Sequence, residues 1–456
     1  MSDGEPDLAE QLASALRPLL GPLVVDAPTR MSGGASRETW SFDAVTPDGE
    51  RHELVLRRDP PGRPSGPGAM GREAAAMRAA AAEGVPVPEV VVVEEHPAPW
   101  GGAGVVMRRV GGEALPRRIL RDDRYESARA VLVGQATSAL AGIHRVRPEV
   151  VGDRIADPVV TMRTLLDAFD EPVPTFEVAL QWLDERRPPA SGASLVHGDF
   201  RLGNLMVDEA GLSSVLDWEL VHPGDPAEDL GWLCVRAWRF GRSPSVAGLG
   251  TREELLEAYR AAGGVDIDAA VLRWWEVYGT LRWGAICLTQ TAAHLQGALR
   301  SVELAAIGRR VAETEWDLLL LLAPGAAERA ASSAADISEA DPEPVPGLHG
   351  RPTVGELVEA VREQLAADAE HGGRGSYRSR VAANALRIVE RELRSGAAQQ
   401  QRRDAALRGV GLTDEAELTA AIRAGRMAAD SDELLDLVAS GVVDRVKVSN
   451  PGYLEN

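Results

Sequence analysis

The sequence predicts an α+β fold in two lobes, a small β-rich N-lobe and a larger helical C-lobe, followed by a separate small all-α domain. Three observations predict it. Strand-like runs cluster before residue 110, and wide apolar stripes at helical spacing dominate from there to residue 323. Residues 324–350, "PGAAERAASSAADISEADPEPVPGLHG", carry Ala, Ser, Pro and acids with no apolar period, the composition of a linker. At 456 residues the chain is too long for one ordinary core. The expected divisions are therefore 1–110, 111–323, the linker 324–350 and a helical domain over 351–456.

In chain order, "DLAEQLASALRPLL" has apolar residues at helical spacing and stops before Gly-Pro, so a short helix leads in. "RMSGGASRETWSFDAV" places a Gly-Gly pair between two strand-like runs, and "HELVLRRDPPG" is a strand closed by prolines. "GREAAAMRAAAAEG" is an alanine-rich helix with a glycine stop, and "PEVVVVEE" and "GAGVVMRRVGG" are two further strands. Strands, helix and strands make a small α+β lobe. From "DDRYESARAVLVGQATSALAGIHRV" onward the pattern is helical, interrupted only around 194–221 by "SLVHGD", "NLMVD" and "SSVLDWE", which read as short strands or loops. Beyond the linker, "TVGELVEAVREQLAADAE" and "YRSRVAANALRIVERELRSG" head the α domain.

Composition narrows the partners. A formal charge of −20 repels nucleic acid and anionic membrane, so a small molecule is the expected partner. An anionic ligand would need a local basic cluster. Cys234 and Cys287, far apart in apolar helical patterns, read as buried reduced thiols. The acidic start "MSDGEPDLAEQL" has no basic and apolar leader, and no apolar run is long enough to span a bilayer, so a cytoplasmic protein is expected. Lys447 is the single lysine; any chemistry ordinarily done by lysine is done here by arginine or not at all.

The stretch "LVHGDFRLGNLMVD" and the later "VLDWE" concentrate the chemistry. Phosphoryl transfer needs a carboxylate near the attacking hydroxyl, oxygen ligands for Mg²⁺, a cation on the phosphates and a tight glycine turn over them. Asp199 and Asn204 place a carboxylate and an amide on one loop, and Asp217 supplies a second hard oxygen. A structural turn with Asx hydrogen bonds is the alternative for Asp199 and Asn204 taken alone. His197 lacks a second histidine at metal-ligand spacing, so it is expected to hydrogen-bond the loop. His222, Asp225 and Asp229 are expected to brace the loop and cap the next helix, with Pro226 early in that helix.

"HGDFRLGNLMVD" and "VLDWELVHPGDPAEDLGW" together resemble the aminoglycoside phosphotransferase (APH/choline kinase-like) superfamily, a small-molecule branch of the protein-kinase-like fold, over roughly residues 25–323. The resemblance implies that Asp199 is the catalytic base and that Asn204 and Asp217 ligate Mg²⁺. It implies that the turn Ser32, Gly33, Gly34 covers the ATP phosphates and that Arg57 of "ELVLRRDP" stands where a lysine usually meets the α- and β-phosphates. Guanidinium is broad and bidentate, so phosphate geometry should differ. Glu73 would pair with Arg57. Met107 would back the adenine pocket, with the Arg108 and Val110 backbone on the base. "VLR" is also similar to the kinase-like domains fused to some acyl-CoA dehydrogenases. The lobes then read as a nucleotide-binding lobe (1–110) and a catalytic and acceptor lobe (111–323).

Arg201 and Glu219 lie close enough in sequence to the loop to touch substrate or phosphate. Of the tryptophans at 182, 232, 238, 274, 275, 283 and 316, most should be packing, with Trp275 and Trp283 as acceptor-pocket candidates. The expected activity is an ATP- and Mg²⁺-dependent phosphotransferase acting on a small-molecule hydroxyl, with a hydroxyacyl-CoA as the first acceptor. The alternatives are an aminoglycoside-type antibiotic kinase and a non-catalytic nucleotide-binding scaffold. The last domain resembles an uncharacterised helical module accompanying bacterial phosphotransferases. It is a candidate for homodimer or intramolecular contact, through a polar surface around Asn384, Arg387 and Arg391.

Overall fold

The computed structural model describes residues 8–31, 37–60, 66–95, 100–152, 154–333, 354–370 and 376–455. The chain divides into two compact units, one made of residues 1–156 and 189–275, the other of 157–188 and 276–456.

The first unit opens with α1 (Leu8–Leu20), whose Leu12 and Leu16 are buried one turn apart. β1 (Val24–Val25), β2 (Thr29–Arg30), β3 (Glu38–Val45) and β4 (Arg51–Arg58) follow, then α2 (Ala69–Ala82), β5 (Val90–Glu94) and β6 (Gly104–Arg108). They form one antiparallel sheet in the order β1-β3-β4-β6-β5, with β2 on β3. Period-2 alternation along β4 buries His52, Leu54 and Leu56 on one face, the two leucines in the core with Phe42, Trp100 and Val106. Arg57 therefore projects from the opposite face, where it pairs in register with Thr39.

α3 (Pro116–Arg121) and α4 (Glu126–Arg145) continue the chain. It then contributes α5 (Pro158–Leu166) and α6 (Pro174–Glu185) to the second unit and returns as β7 (Ser194–Val196), β8 (Leu205–Asp208), β9 (Gly211–Val215) and β10 (His222–Gly224). The short strands expected around 194–221 are thus two small ladders, β8 with β9 and β10 with β7. α7 (Ala227–Cys234) is wholly buried, and α8 (Arg252–Ala261) starts at a capping box between Thr251 and Glu254.

α9 (Ala269–Leu295) leads into the second unit, which holds α10 (Val302–Gly308), α11 (Val311–Leu322), α12 (Pro324–Ser333), α13 (Val354–Glu370), α14 (Ser376–Gly409), α15 (Glu415–Arg423) and α16 (Asp432–Ser449). Residues 324–333, expected as the start of a linker, are instead α12. Their alanines favour helix, and Ala326, Ala327 and Ala330 form a small-residue face buried in the core shared with α16. The all-α C-terminal region is present, and it shares its core with neighbours. Val178 of α6, Trp316 and Leu319 of α11 and Ala327 of α12 cluster with Leu407, Ile422, Leu434, Val438 and Val442.

α11 adds buried acids to that contact. Glu315 accepts from Thr175 Oγ1 at 3.0 Å and from Arg445 at 2.6 and 3.0 Å; Glu313 takes Asn450 and Asp317 takes Tyr453, both at 2.8 Å. On the expected polar surface of α14, Arg391 donates to the carbonyl of Val448, so the contact it makes is within the chain. Among the described residues no helix is long and apolar enough to cross a membrane.

Candidate active site

Asp199 sits in the loop after β7, and its position follows from what fixes that loop. Gly198 has φ +80°, and a Cβ there would meet the Leu220 carbonyl at 2.5 Å, so only glycine fits between His197 and Asp199. The fully buried Asp229 of α7 accepts the N–H groups of His197 at 2.8 Å and Gly198 at 2.9 Å, one on each carboxylate oxygen, and meets His144 Nε2 at 3.2 Å. Burial pushes the Asp229 carboxyl up, but these bonds and the two imidazoles outweigh it and hold it below the usual carboxylate range.

His197 supports the same loop from inside. Its Nδ1 accepts the Asp199 N–H at 3.2 Å, so the proton is assigned to Nε2, 3.1 Å from the Leu216 carbonyl. Burial lowers its pKa, which keeps it neutral in this tautomer. Its ring packs 4.8 Å from that of Trp218. The bracing roles expected of His197 and Asp229 are what the geometry shows. Asp225 accepts from Ala227 N at 2.9 Å and Ser191 N at 2.7 Å, and His222 pairs with Glu228 at 3.2 Å.

Both oxygens of Asp199 are held. Oδ1 accepts from Arg201 Nε and from the indole N–H of Trp232, each at 3.0 Å, and Oδ2 accepts from Asn204 Nδ2 at 2.6 Å. The β8–β9 hairpin explains the separation of Asn204 from Asp217. Leu205 pairs with Val215, and Leu216 N donates to the Asn204 carbonyl at 2.8 Å, which sets Asp217 beside Asn204. Asp217 is a non-glycine residue in the left-handed region, φ +64°, strain of the kind held at functional turns.

Around Asp217 lies a network of charges. Arg57 Nη2 donates to Asp217 Oδ1 at 2.8 Å and stands 3.7 Å from Glu219. Arg37 pairs with Glu73 and lies 3.6 Å from Asp59 and 4.0 Å from Glu219. The resemblance implies a pair between Glu73 and Arg57; the ion pair of Glu73 is instead with Arg37, and that of Arg57 with Asp217. Burial pushes the Glu73 carboxyl up against the pull of Arg37 and Arg57, whereas Arg57 outweighs burial at Asp217 and holds that carboxyl low. With every carboxyl ionised, two guanidinium groups face four carboxylates, a net charge of −2.

The donor set fits a hard divalent cation. Both Asn204 amide bonds to Asp199, on its backbone and side-chain oxygens, come from Nδ2, which leaves the amide Oδ1 as the acceptor for a metal beside the Asp217 carboxylate. Two protein oxygens suit Mg²⁺, which keeps waters and takes phosphate oxygens for the rest of its shell. Among the described residues no cluster of three or more His, Cys, Asp or Glu forms a metal cage by itself.

Met107 is buried on β6, in register with Val55. The Arg108 N–H is spent on the Glu89 carbonyl at 2.9 Å, so what that backbone offers a base is its carbonyl, and Val110 follows the strand end. The Arg108 side chain pairs with Glu89 at 2.8 Å. Arg201 also lies over the Trp238 ring, 4.7 Å from its centroid. Trp275 is buried edge-to-face on Trp274, a packing position. Trp283, in the second unit, is covered by Arg310 at 5.2 Å. Ser32, Gly33 and Gly34 lie outside the described residues. Sequence reasoning missed Arg37, Asp59 and the role of Trp232. The signal that could have found Arg37 is its place in the sequence, three residues beyond Gly34.

A six-stranded sheet lobe followed by a helical lobe, with a loop carboxylate and a hairpin-positioned acid at its centre, defines a kinase-like phosphotransferase fold. The model of the phosphotransferase enzyme family matches residues 29–275, and the chain belongs to that family. Residues 369–453 match a domain of unknown function, DUF6285. The chain is 32% identical over 213 residues to acyl-CoA dehydrogenase family member 10 of Mus musculus, covering 43% of this chain and 19% of that protein. It is 27% identical over 239 residues to family member 11 of Rattus norvegicus, covering 46% and 30%. The chain thus spans less than a third of either relative's length. A structure from Ralstonia eutropha, a candidate aminoglycoside phosphotransferase, aligns with TM-score 0.52 at 23% identity, over 68% of this chain and 97% of that one, a likeness of fold.

Proposed function

We propose that the protein transfers the γ-phosphate of ATP to a hydroxyl of a small molecule, with Mg²⁺ as cofactor. The observation that carries this reading is the Asp199 carboxylate, fixed on both oxygens by Arg201, Trp232 and Asn204 in a loop that Asp229 ties down. Asp199 orients the acceptor hydroxyl and takes its proton as the hydroxyl oxygen bonds the γ-phosphorus and the bond to the β,γ-bridging oxygen breaks, releasing ADP. Asn204 Oδ1 and the Asp217 carboxylate hold the metal, which when bound neutralises phosphate charge. Arg57 meets the α- and β-phosphates, and Glu73 with Arg37 fixes α2 behind it. Ser32, Gly33 and Gly34 cover the phosphates. Met107 backs the base, which bonds the Arg108 carbonyl and the Val110 N–H. Arg201 and Glu219 face the transferred phosphate or the acceptor.

The first acceptor class is a hydroxyacyl-CoA. Its support is the likeness to the acyl-CoA dehydrogenase family members. The lobe assignments, nucleotide over 1–110 and acceptor over 111–323, and a cytoplasmic setting belong to the same proposal. The test is transfer of label from γ-labelled ATP to a panel of hydroxyacyl-CoAs, sugars, amino alcohols and aminoglycosides. Acceptor-dependent transfer that vanishes in Asp199→Asn supports the reading and names the class. Labelling of aminoglycosides alone would make it an antibiotic kinase. Nucleotide binding without transfer to any acceptor would make it a scaffold.

A further inference from the structure

Resting on that reading of the nucleotide site, we propose that Arg57 is a latch on the metal site: it occupies Asp217 as counter-ion while the nucleotide is absent, so that a divalent cation enters together with a nucleotide and not alone. The 2.8 Å bond from Arg57 Nη2 to Asp217 Oδ1 lies on one of the two oxygen ligands the metal would use. Glu219, 3.7 Å from Arg57, holds the guanidinium on that side. Glu73, which could have drawn Arg57 away, is taken by Arg37, itself buried with Asp59.

Charge accounts for both states. With Arg57 on Asp217, a +2 ion approaching the same oxygen meets a fixed positive charge at contact distance. When phosphates arrive, Arg57 exchanges one carboxylate for several phosphate oxygens, and the four carboxylates are left with Arg37 alone and Asp217 unneutralised, which is what the ion then satisfies. An arginine strengthens this latch relative to a lysine. Its fork stays protonated at any working pH, is raised further here by Asp217 once burial is overcome, and binds a carboxylate with fixed geometry.

The experiment is a Mn²⁺ titration of the full chain, read by the electron paramagnetic resonance signal of free Mn²⁺, without AMP-PNP and with it, the latter corrected for the Mn²⁺ taken up by the same AMP-PNP in a protein-free blank. The proteins are wild type, Arg57→Gln, Arg57→Lys and Arg57→Gln/Asp217→Asn, each checked for its thermal transition. Wild type should bind Mn²⁺ at least tenfold more tightly with AMP-PNP than without it. Arg57→Gln without nucleotide should bind Mn²⁺ at least tenfold more tightly than wild type, a gain the double variant loses, and should show less synergy with AMP-PNP. Arg57→Lys should fall between the two.

Arg57→Gln binding no more tightly than wild type without nucleotide overturns the latch. A gain that survives Asp217→Asn overturns it too, since the ion would then be elsewhere. If Arg57→Gln gains Mn²⁺ affinity but AMP-PNP does not tighten Mn²⁺ on wild type, it is the nucleotide reading that fails while Arg57 still guards Asp217.

Discussion

Asp229→Asn is the change that most sharply probes how the loop is held. The carboxylate accepts two backbone N–H groups, at 2.8 and 2.9 Å, and touches His144 at 3.2 Å, with no exposure to solvent. An amide of the same shape keeps one oxygen. Its NH₂ must face either the His197 or the Gly198 N–H, so one charge-assisted bond is lost and one buried donor is stranded. Hydrogen bonds to a charged group are worth about 1.5–3 kcal/mol and a stranded buried donor costs about 1–3 kcal/mol, overlapping penalties that together give about 3 kcal/mol. For a unit of this size that lowers the thermal midpoint by about 10 °C. Because the stranded donor sits next to Asp199, turnover should fall by about a hundredfold even below the transition, the effect of moving a catalytic group by about 1 Å. Differential scanning calorimetry and acceptor-stimulated ADP release measure the two effects. A variant within about 0.5 kcal/mol of wild type and with full turnover would refute the assignment of Asp229 as the anchor of the loop.

Other expectations follow from the same geometry. Trp232→Phe removes the 3.0 Å indole bond to Asp199 while keeping the ring's packing, and should lower kcat about tenfold with little change in thermal midpoint or nucleotide affinity, measured by steady-state kinetics and calorimetry. Acid should cost stability in two windows. Burial depresses the His197 pKa, so its contribution is full above the ordinary histidine value, about 6.5, and is lost as pH falls below it, because the unfolded chain takes a proton the folded one refuses. Asp217 and Asp229, also depressed, add a second loss as pH falls below the ordinary carboxylate value, about 4, while Glu73, raised by burial, acts in the opposite sense. His197→Gln should flatten the first window in a plot of denaturation midpoint against pH and leave the second. Glu315→Gln, at a side chain 2% exposed, should cost about 2–3 kcal/mol in urea by breaking its pair with Arg445, and Glu315→Leu combined with Arg445→Met and Thr175→Val, which removes the hydroxyl that also donates to Glu315, should recover most of it.

The legible parts of this protein are the local ones. Alternation in "HELVLRR", the alanine run of α2 and the "HGDFRLGN" and "LDWE" stretches each announce an element or a turn within a few residues, and the β8–β9 hairpin that joins Asn204 to Asp217 is short enough to be read through its two strands. Partner choice is different. Four carboxylates compete for Arg37 and Arg57, and the outcome, Glu73 on Arg37 and Asp217 on Arg57, joins residues 36 and 160 positions apart, beyond the reach of any local pattern. Trp232 reaches Asp199 from α7, where its sequence looks like any helix packing residue. The alanines of 324–333 carry no apolar period because small side chains are what α16 needs opposite it, so a helix read as a linker.

If Asp199 takes the acceptor's proton, the kcat of Asp199→Asn measured beside its dissociation constant for Mg·ATP shows it. Loss of a general base should lower kcat by about 10²–10⁴, while the dissociation constant stays within about threefold, because in the proposed mechanism the metal and phosphate contacts fall to Asn204, Asp217 and Arg57 and not to Asp199. Turnover within tenfold of wild type would mean that Asp199 is not the base.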